Sequence, residues 1–153
     1  FSDTIKLNIE QDEETASTVW DAAVLLTTHV MKLPNEQFIG KNILELGSGC
    51  GLPGIVAWLL GANVWLTDLP EIINVTLRNA DRARLLVSHL GHPSVNSSRA
   101  PELHVCAYRW GDDVRALCRS PLQSFDMVLG SDIVYDLDGL APLAATLRHV
   151  LIP

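Results

Sequence analysis

The chain is short of three things, and each shortage excludes a class of protein. It has no long hydrophobic run: Arg, Asp, His or Asn interrupts every apolar stretch before it reaches bilayer-spanning length, so no transmembrane segment is predicted. It has few basic residues. Eleven Lys and Arg stand against 18 Asp and Glu, and the net charge of −7 argues against the basic stripe that a nucleic-acid binder needs. Neither nucleic acid nor a membrane is an expected partner, whereas proteins with basic patches are. Cysteine is also scarce. Cys50, Cys106 and Cys118 are odd in number and form no paired spacing. Reduced thiols account for them, and imply a cytoplasmic location with the nucleus as a second compartment of the same chemistry. A basic n-region followed by an apolar h-region is absent as well, so no targeting signal is read.

What is present is a globular composition: 153 residues, 48% apolar and only 19% charged, the length of one domain. His89, His92 and His104 lack any zinc-ligand spacing, so no metal is expected. The acceptor-like triplets at Asn74 and Asn96 read as chance. Glu10, Asp12, Glu13 and Glu14 form an acidic run that reads as a solvated or helix-capping stretch.

Residues 4–9 alternate loosely, as an edge strand would, and apolar residues recur at helical spacing over 15–33. From residue 42 strands and helices then alternate. Strands are predicted at 43–46, 63–67, 103–107 and 125–130, and helices at 52–60, 71–89, 112–118 and 137–151; residues 91–101 read as a loop. That alternation predicts an α/β fold, a doubly wound and mostly parallel sheet with helices on both faces.

The most informative stretch is I-L-E-L-G-S-G-C-G-L-P-G, from Ile43 to Gly54. An apolar strand runs into glycines at 47, 49 and 51, and a helix starts directly behind them. Glycine serves such a turn because it accepts positive φ and lets a ligand approach the backbone, while the helix start directs free N–H groups at that ligand. Two ligand classes compete. Gly49, Gly51 and Gly54 match G-x-G-x-x-G, and Asp68 follows about twenty residues on, as a dinucleotide site requires. Counted from Gly47, however, the third dinucleotide glycine falls on Leu52, and Glu45 stands two places before the first glycine. E-x-G-x-G-x-G suits a ligand with an ammonium and a sulfonium, such as S-adenosylmethionine. Asp68, at the carboxyl end of the second strand, is placed to accept ribose hydroxyls, although it could also cap the helix that follows. Trp110 falls just past the third strand, as a base-packing residue or a buried anchor, and Trp20 near the first helix reads as core or as an N–H donor to a carboxylate.

Together, E-L-G-S-G-C-G-L-P-G, T-D at 67–68, R-W-G at 109–111, V-W-D-A-A-V-L-L at 19–26 and F-D-M-V-L-G-S-D-I-V-Y at 125–135 resemble the seven-strand, S-adenosylmethionine-dependent methyltransferases of family 16 over nearly the whole chain. Most of these are protein lysine methyltransferases. The D-x-x-Y of Asp132 and Tyr135 is the specific part. The resemblance implies a Rossmann-like fold of the class I methyltransferase type, one domain over 1–153 with an N-terminal strand and helix in 1–40 and a cofactor-binding core in 41–153. It implies that Glu45, Gly47, Ser48, Gly49 and Gly51 hold the methionine and ribose portions of S-adenosylmethionine. Asp68 would bind the ribose hydroxyls, Trp110 would lie against the adenine and Trp20 would approach the methionine end, with Leu69 and Ser131 as further cofactor-binding candidates. Asp132 and Tyr135 would be catalytic, at the entrance for a lysine of a protein substrate, in a monomeric enzyme. Family members normally carry further C-terminal strands, which this chain is expected to lack. The rival readings are a nucleotide-dependent oxidoreductase and an inactive, methyltransferase-like binding module.

Overall fold

A computed structural model describes residues 6–11, 18–90, 100–117 and 124–151. Four strands, β1 (Asn42–Leu46), β2 (Asn63–Asp68), β3 (Leu103–Ala107) and β4 (Met127–Leu129), form one sheet in the order β3-β2-β1-β4, every pairing parallel. Four helices accompany them: α1 (Asp21–Val30), α2 (Leu52–Leu59), α3 (Ile73–Leu90) and α4 (Leu137–Leu151). This is the predicted α/β architecture. The chain runs outward from β1 through β2 to β3, then returns to pair β4 on the other side of β1. The order reverses between β1 and β4, and the carboxyl ends of strands at such a switch point open the crevice in which α/β folds bind ligands.

The strands have apolar residues on both faces because both faces are covered. Ile43, Val64 and Leu66 pack with Ile55, Val56 and Trp58 of α2 and with Ala80, Ala83 and Val87 of α3. Leu44, Leu46 and Trp65 face the other way, against Leu117, Phe125 and Leu143 of α4. A third, smaller cluster lies under the glycine turn: Cys50, Ile72 and Val75, with Ile9, Val19 and Leu69 packed on it.

Some elements differ from their predicted extents. Residues 6–9 join no strand, because the Glu10 N–H and carbonyl bond to the Asn79 side chain in place of a sheet edge; residues 4 and 5 lie outside the described residues. α1 starts at Asp21, later than predicted, since Trp20 is extended (φ −75°, ψ 155°) and Val19 N–H bonds to Gln11 Oε1 at 2.8 Å. β4 is three residues long because only Met127, Val128 and Leu129 find partners, at Ile43, Leu44 and Glu45. The helix expected at 112–118 is a 3-10 turn over Val114–Leu117, with Cys118 outside the described residues, as are 91–99 of the predicted loop. Glu10 of the acidic run does not cap a helix. It pairs with Arg78 and Arg82 of α3.

Candidate functional site

The glycine turn sits at the carboxyl end of β1, and hydrogen bonds from β2, α3 and Asp68 hold its shape. Gly47, Gly49 and Gly51 have φ of 60°, 48° and 76°, a region that side-chain-bearing residues rarely enter. At Gly47 there is a second reason for glycine: a Cβ there would lie 2.8 Å from Ile133 Cγ2 and 3.5 Å from Trp110 Cζ2. At Gly54 a Cβ would come within 2.3 Å of both Leu66 and Glu45, so that glycine is required by the packing of α2 on β1 and β2. Its place in G-x-G-x-x-G therefore says nothing about a pyrophosphate.

The turn is tied from three sides. Ser48 N–H donates to Thr67 carbonyl at 3.0 Å, and Gly49 N–H donates to Asp68 Oδ2 at 2.7 Å. From α3, Thr76 Oγ1 donates to the Gly49 carbonyl at 2.5 Å and Asn79 Nδ2 to the Cys50 carbonyl at 3.0 Å. From below comes Glu45. Its carboxyl is only 1% exposed, and Oε2 accepts the Gly54 N–H at 2.8 Å. Burial pushes its pKa up to about 8, against the downward pull of the Gly54 N–H and with a smaller upward push from Asp68. Glu45 thus supports the helix start: the side chain lies between β1 and α2, under the turn.

Asp68 closes β2. Its other oxygen accepts Leu69 N–H at 2.7 Å, and burial outweighs the two N–H donors in raising its pKa. Each carboxylate oxygen has a second lone pair, so both remain able to accept a hydroxyl. The Ser48 hydroxyl is buried and has no hydrogen-bond partner among the described residues. Trp110 lies beside Gly47 and also against Gly139 of α4, where a Cβ would be 3.4 Å from Cζ3. Its turn is fixed by Thr146 of α4, whose Oγ1 accepts Gly111 N–H at 2.9 Å and meets Tyr108 Oη at 3.1 Å.

Past β4, Ile133 inserts its side chain against Gly47 and Gly130. That plug brings Asp132 within one residue of the glycine turn. Asp132 adopts φ 56°, the one non-glycine with positive φ among the described residues, and aspartate is among the few side chains that tolerate it. Tyr135 is 76% exposed, and the segment from Asp132 to it is not helical. Ser131 is half-buried beside Asp132. Trp20, 44% exposed, immediately precedes α1, and its neighbour Val19 packs on the cluster that contains Cys50, beside Leu69. Of the predicted residues, Glu45, Gly47, Ser48, Gly49, Gly51, Asp68, Leu69, Trp110, Ser131 and Asp132 lie at the carboxyl ends of β1, β2 and β4 and in the turn after β3, while Trp20 precedes α1 and Tyr135 is exposed beyond β4. Sequence reasoning missed Thr76, Asn79 and Ile133. The signal for the first two was polar residues at positions that share a helix face with Ala80, Ala83 and Val87.

Residues 1–153 match the model of a family described as lysine methyltransferase. Protein N-lysine methyltransferase METTL21A of Danio rerio is 34% identical over 135 residues, 88% of this chain and 55% of the relative. EEF1A lysine methyltransferase 3 of Xenopus tropicalis is 37% identical over 90% of this chain and 54% of its own length. Protein N-terminal and lysine N-methyltransferase EFM7 of Eremothecium gossypii is 35% identical over 88% and 50%. The chain spans about half the length of these curated relatives. Matched by that family's model over all its residues, and with a glycine turn at the end of β1 facing the acidic end of β2, the chain belongs to the lysine methyltransferase family.

Proposed function

We propose that the protein is an S-adenosylmethionine-dependent methyltransferase that modifies lysine in a non-histone protein. One coincidence carries the reading. In a chain that matches the lysine methyltransferase family throughout, Asp68 and three positive-φ glycines converge at the switch-point crevice, with the Asp68 carboxylate 2.7 Å from Gly49 N. The donor set suits this cofactor. Asp68 has lone pairs for a ribose diol, the Ser48 hydroxyl is unspent, and Trp110 offers an aromatic surface beside Gly47. Gly47, Gly49, Gly51 and Leu69 would shape the cradle, with Trp20 and Ser131 at its margins.

When bound, S-adenosylmethionine supplies a methyl on a sulfonium sulfur, the leaving group of an in-line displacement. The chain's task is to align the attacking amine and dry it. Lysine enters as an ammonium without a lone pair, so it must shed a proton to solvent before attack. Asp132 holds the incoming nitrogen by hydrogen bonding, and Tyr135 packs on the alkyl stem or accepts a second hydrogen bond. Ile133, between them in sequence, packs beside Gly47 and ties their segment to the glycine turn. Asp132 and Tyr135 are therefore the catalytic residues of the proposal.

Two relatives are named for EEF1A, which makes a translation factor the first substrate to try. We place the enzyme in the cytoplasm or nucleus as a monomer, a reading that accords with Cys50 and Cys106 being thiols. Titration of the full-length protein with S-adenosylhomocysteine and with a nicotinamide dinucleotide tests the cofactor. Binding of the former alone, weakened at least tenfold by Asp68→Ala, is expected; binding of the dinucleotide alone refutes it. Asp132→Ala should abolish labelled-methyl transfer and leave S-adenosylhomocysteine affinity within twofold. Unchanged turnover removes Asp132 from the mechanism.

A further inference from the structure

The cofactor turn is held from a side that no functional motif touches. Thr76 and Asn79 lie one turn apart on α3, 0% and 1% exposed, and each donates to one of two consecutive carbonyls of the turn, Gly49 and Cys50. Because a peptide group is planar, fixing a carbonyl fixes the N–H that follows it. Two peptide planes of the turn are thereby set by one helix. Asn79 does a second job. Its other amide hydrogen donates to the Glu10 carbonyl at 3.0 Å, and its oxygen accepts the Glu10 N–H at 2.7 Å. Residue 10 is then locked by its side chain, with Glu10 Oε1 2.6 Å from Arg78 Nε and Oε2 2.5 Å from an Arg82 nitrogen. Ile9 and Val19, on either side of it, pack on the Cys50 cluster, and Gln11 Oε1 accepts the Val19 N–H.

All three hydrogen-bonding groups of one buried amide are therefore shared between the glycine turn and the N-terminal segment. We propose that Thr76 and Asn79 are positioning residues for the cofactor turn, and that Asn79 couples the seating of the N-terminal segment at Glu10 to cofactor affinity. The inference rests on the methyltransferase reading above. Releasing Glu10 leaves Asn79 with unpaired buried groups, so its amide is free to rotate away from Cys50. Releasing Thr76 frees the neighbouring plane directly. Both changes act on binding and leave the displacement itself untouched, since both residues bond to backbone carbonyls, those of Gly49, Cys50 and Glu10.

The test uses the full-length protein and reads S-adenosylhomocysteine affinity beside kcat at saturating S-adenosylmethionine. Thr76→Val keeps the shape and removes the donor; it should weaken binding about tenfold, and Thr76→Ser, which restores the hydroxyl, should return it to within about twofold. Asn79→Ala should weaken binding at least as much. Glu10→Ala, a surface change that leaves the fold standing if Asn79→Ala does not, should weaken it about two- to fivefold by releasing the Arg78 and Arg82 pairing. In each case kcat should stay within about twofold of the unsubstituted enzyme. If Thr76→Val and Glu10→Ala bind as the unsubstituted protein does, or lose kcat with affinity unchanged, the inference is overturned and the methyltransferase reading stands. If the unsubstituted protein itself binds no S-adenosylhomocysteine, both fall.

Discussion

Glu45 is a carboxyl that the fold keeps from ionising. In the unfolded chain it titrates near 4.5, and in the folded chain burial moves it to about 8. Below the lower value both states hold the proton. Between the two only the unfolded chain releases it, so stability falls as pH rises through this window, and the loss is complete above the folded value. Glu45→Gln is neutral throughout and keeps an acceptor for Gly54 N–H. Denaturant unfolding should therefore show the stability of Glu45→Gln gaining on the unsubstituted protein by roughly 1–4 kcal/mol from about pH 5 to about pH 8.5. A difference that does not change with pH would mean that the carboxylate is ionised in the fold. Gly47 is constrained in another way. Gly47→Ala meets both a positive φ and Ile133 2.8 Å away, so the variant should lose about 1–3 kcal/mol of stability and displace the Asp132 segment along with the turn. Loss of methyl transfer at a Tm equal to that of the unsubstituted protein would contradict the steric account.

At the scale of elements, α3 and α4 are the site's outer supports, one for the glycine turn and one for the turn that carries Trp110. Tyr108 has a single hydroxyl proton, and Oη gives it to the Asp112 carbonyl at 2.9 Å, so the Thr146 hydroxyl supplies the proton between the two side chains while accepting Gly111 N–H. Thr146 is 1% exposed. Thr146→Val leaves Gly111 N–H without its acceptor and should cost about 1–3 kcal/mol in urea unfolding, whereas Thr146→Ser should cost under about 1.5 kcal/mol. A larger loss for Thr146→Ser than for Thr146→Val would show that the methyl group, not the hydroxyl, matters. These supports also mark the limit of what the sequence discloses. Strand and helix positions were legible because the period of apolar residues survives in α2, α3 and α4 and because glycine and aspartate punctuate the strand ends. The direction of Glu45 was not. β1 is buried at four consecutive positions, Ile43 to Leu46, and with both faces covered the alternation that would have placed Glu45 under the turn with Ile43 has no contrast to show it. Thr76 and Asn79 were hidden for a related reason, since polar residues on a helix read as solvent-facing until their neighbours are known. Asp132 was legible as a motif, but its positive φ and its Ile133 anchor depend on contacts between β4 and the turn after β1, which no local pattern encodes.

Across the whole molecule, the crevice draws on every strand: the turn after β1, Asp68 closing β2, the Trp110 turn after β3 and the Asp132 segment after β4. A ligand seated there links elements that otherwise meet only through the sheet. Because S-adenosylhomocysteine binds the folded form alone in this reading, a concentration one hundred times its Kd should add about 2.7 kcal/mol to unfolding, seen as a raised Tm. Hydrogen exchange should then report where that energy is spent. The amides of Gly49, Gly51, Leu69 and Gly111 should slow together, and those of α3 near Thr76 and Asn79 should slow with them, because that helix holds the same turn. The last turn of α4, exposed at Arg148 and His149 and hydrogen-bonded to none of the crevice loops through those two side chains, should exchange as before apart from the global gain. Protection confined to the glycine turn would mean that the four loops do not close on one ligand. Protection that reaches Glu10 and the N-terminal segment would extend the bound state along the route through Asn79, from the cofactor cradle to the far side of α3.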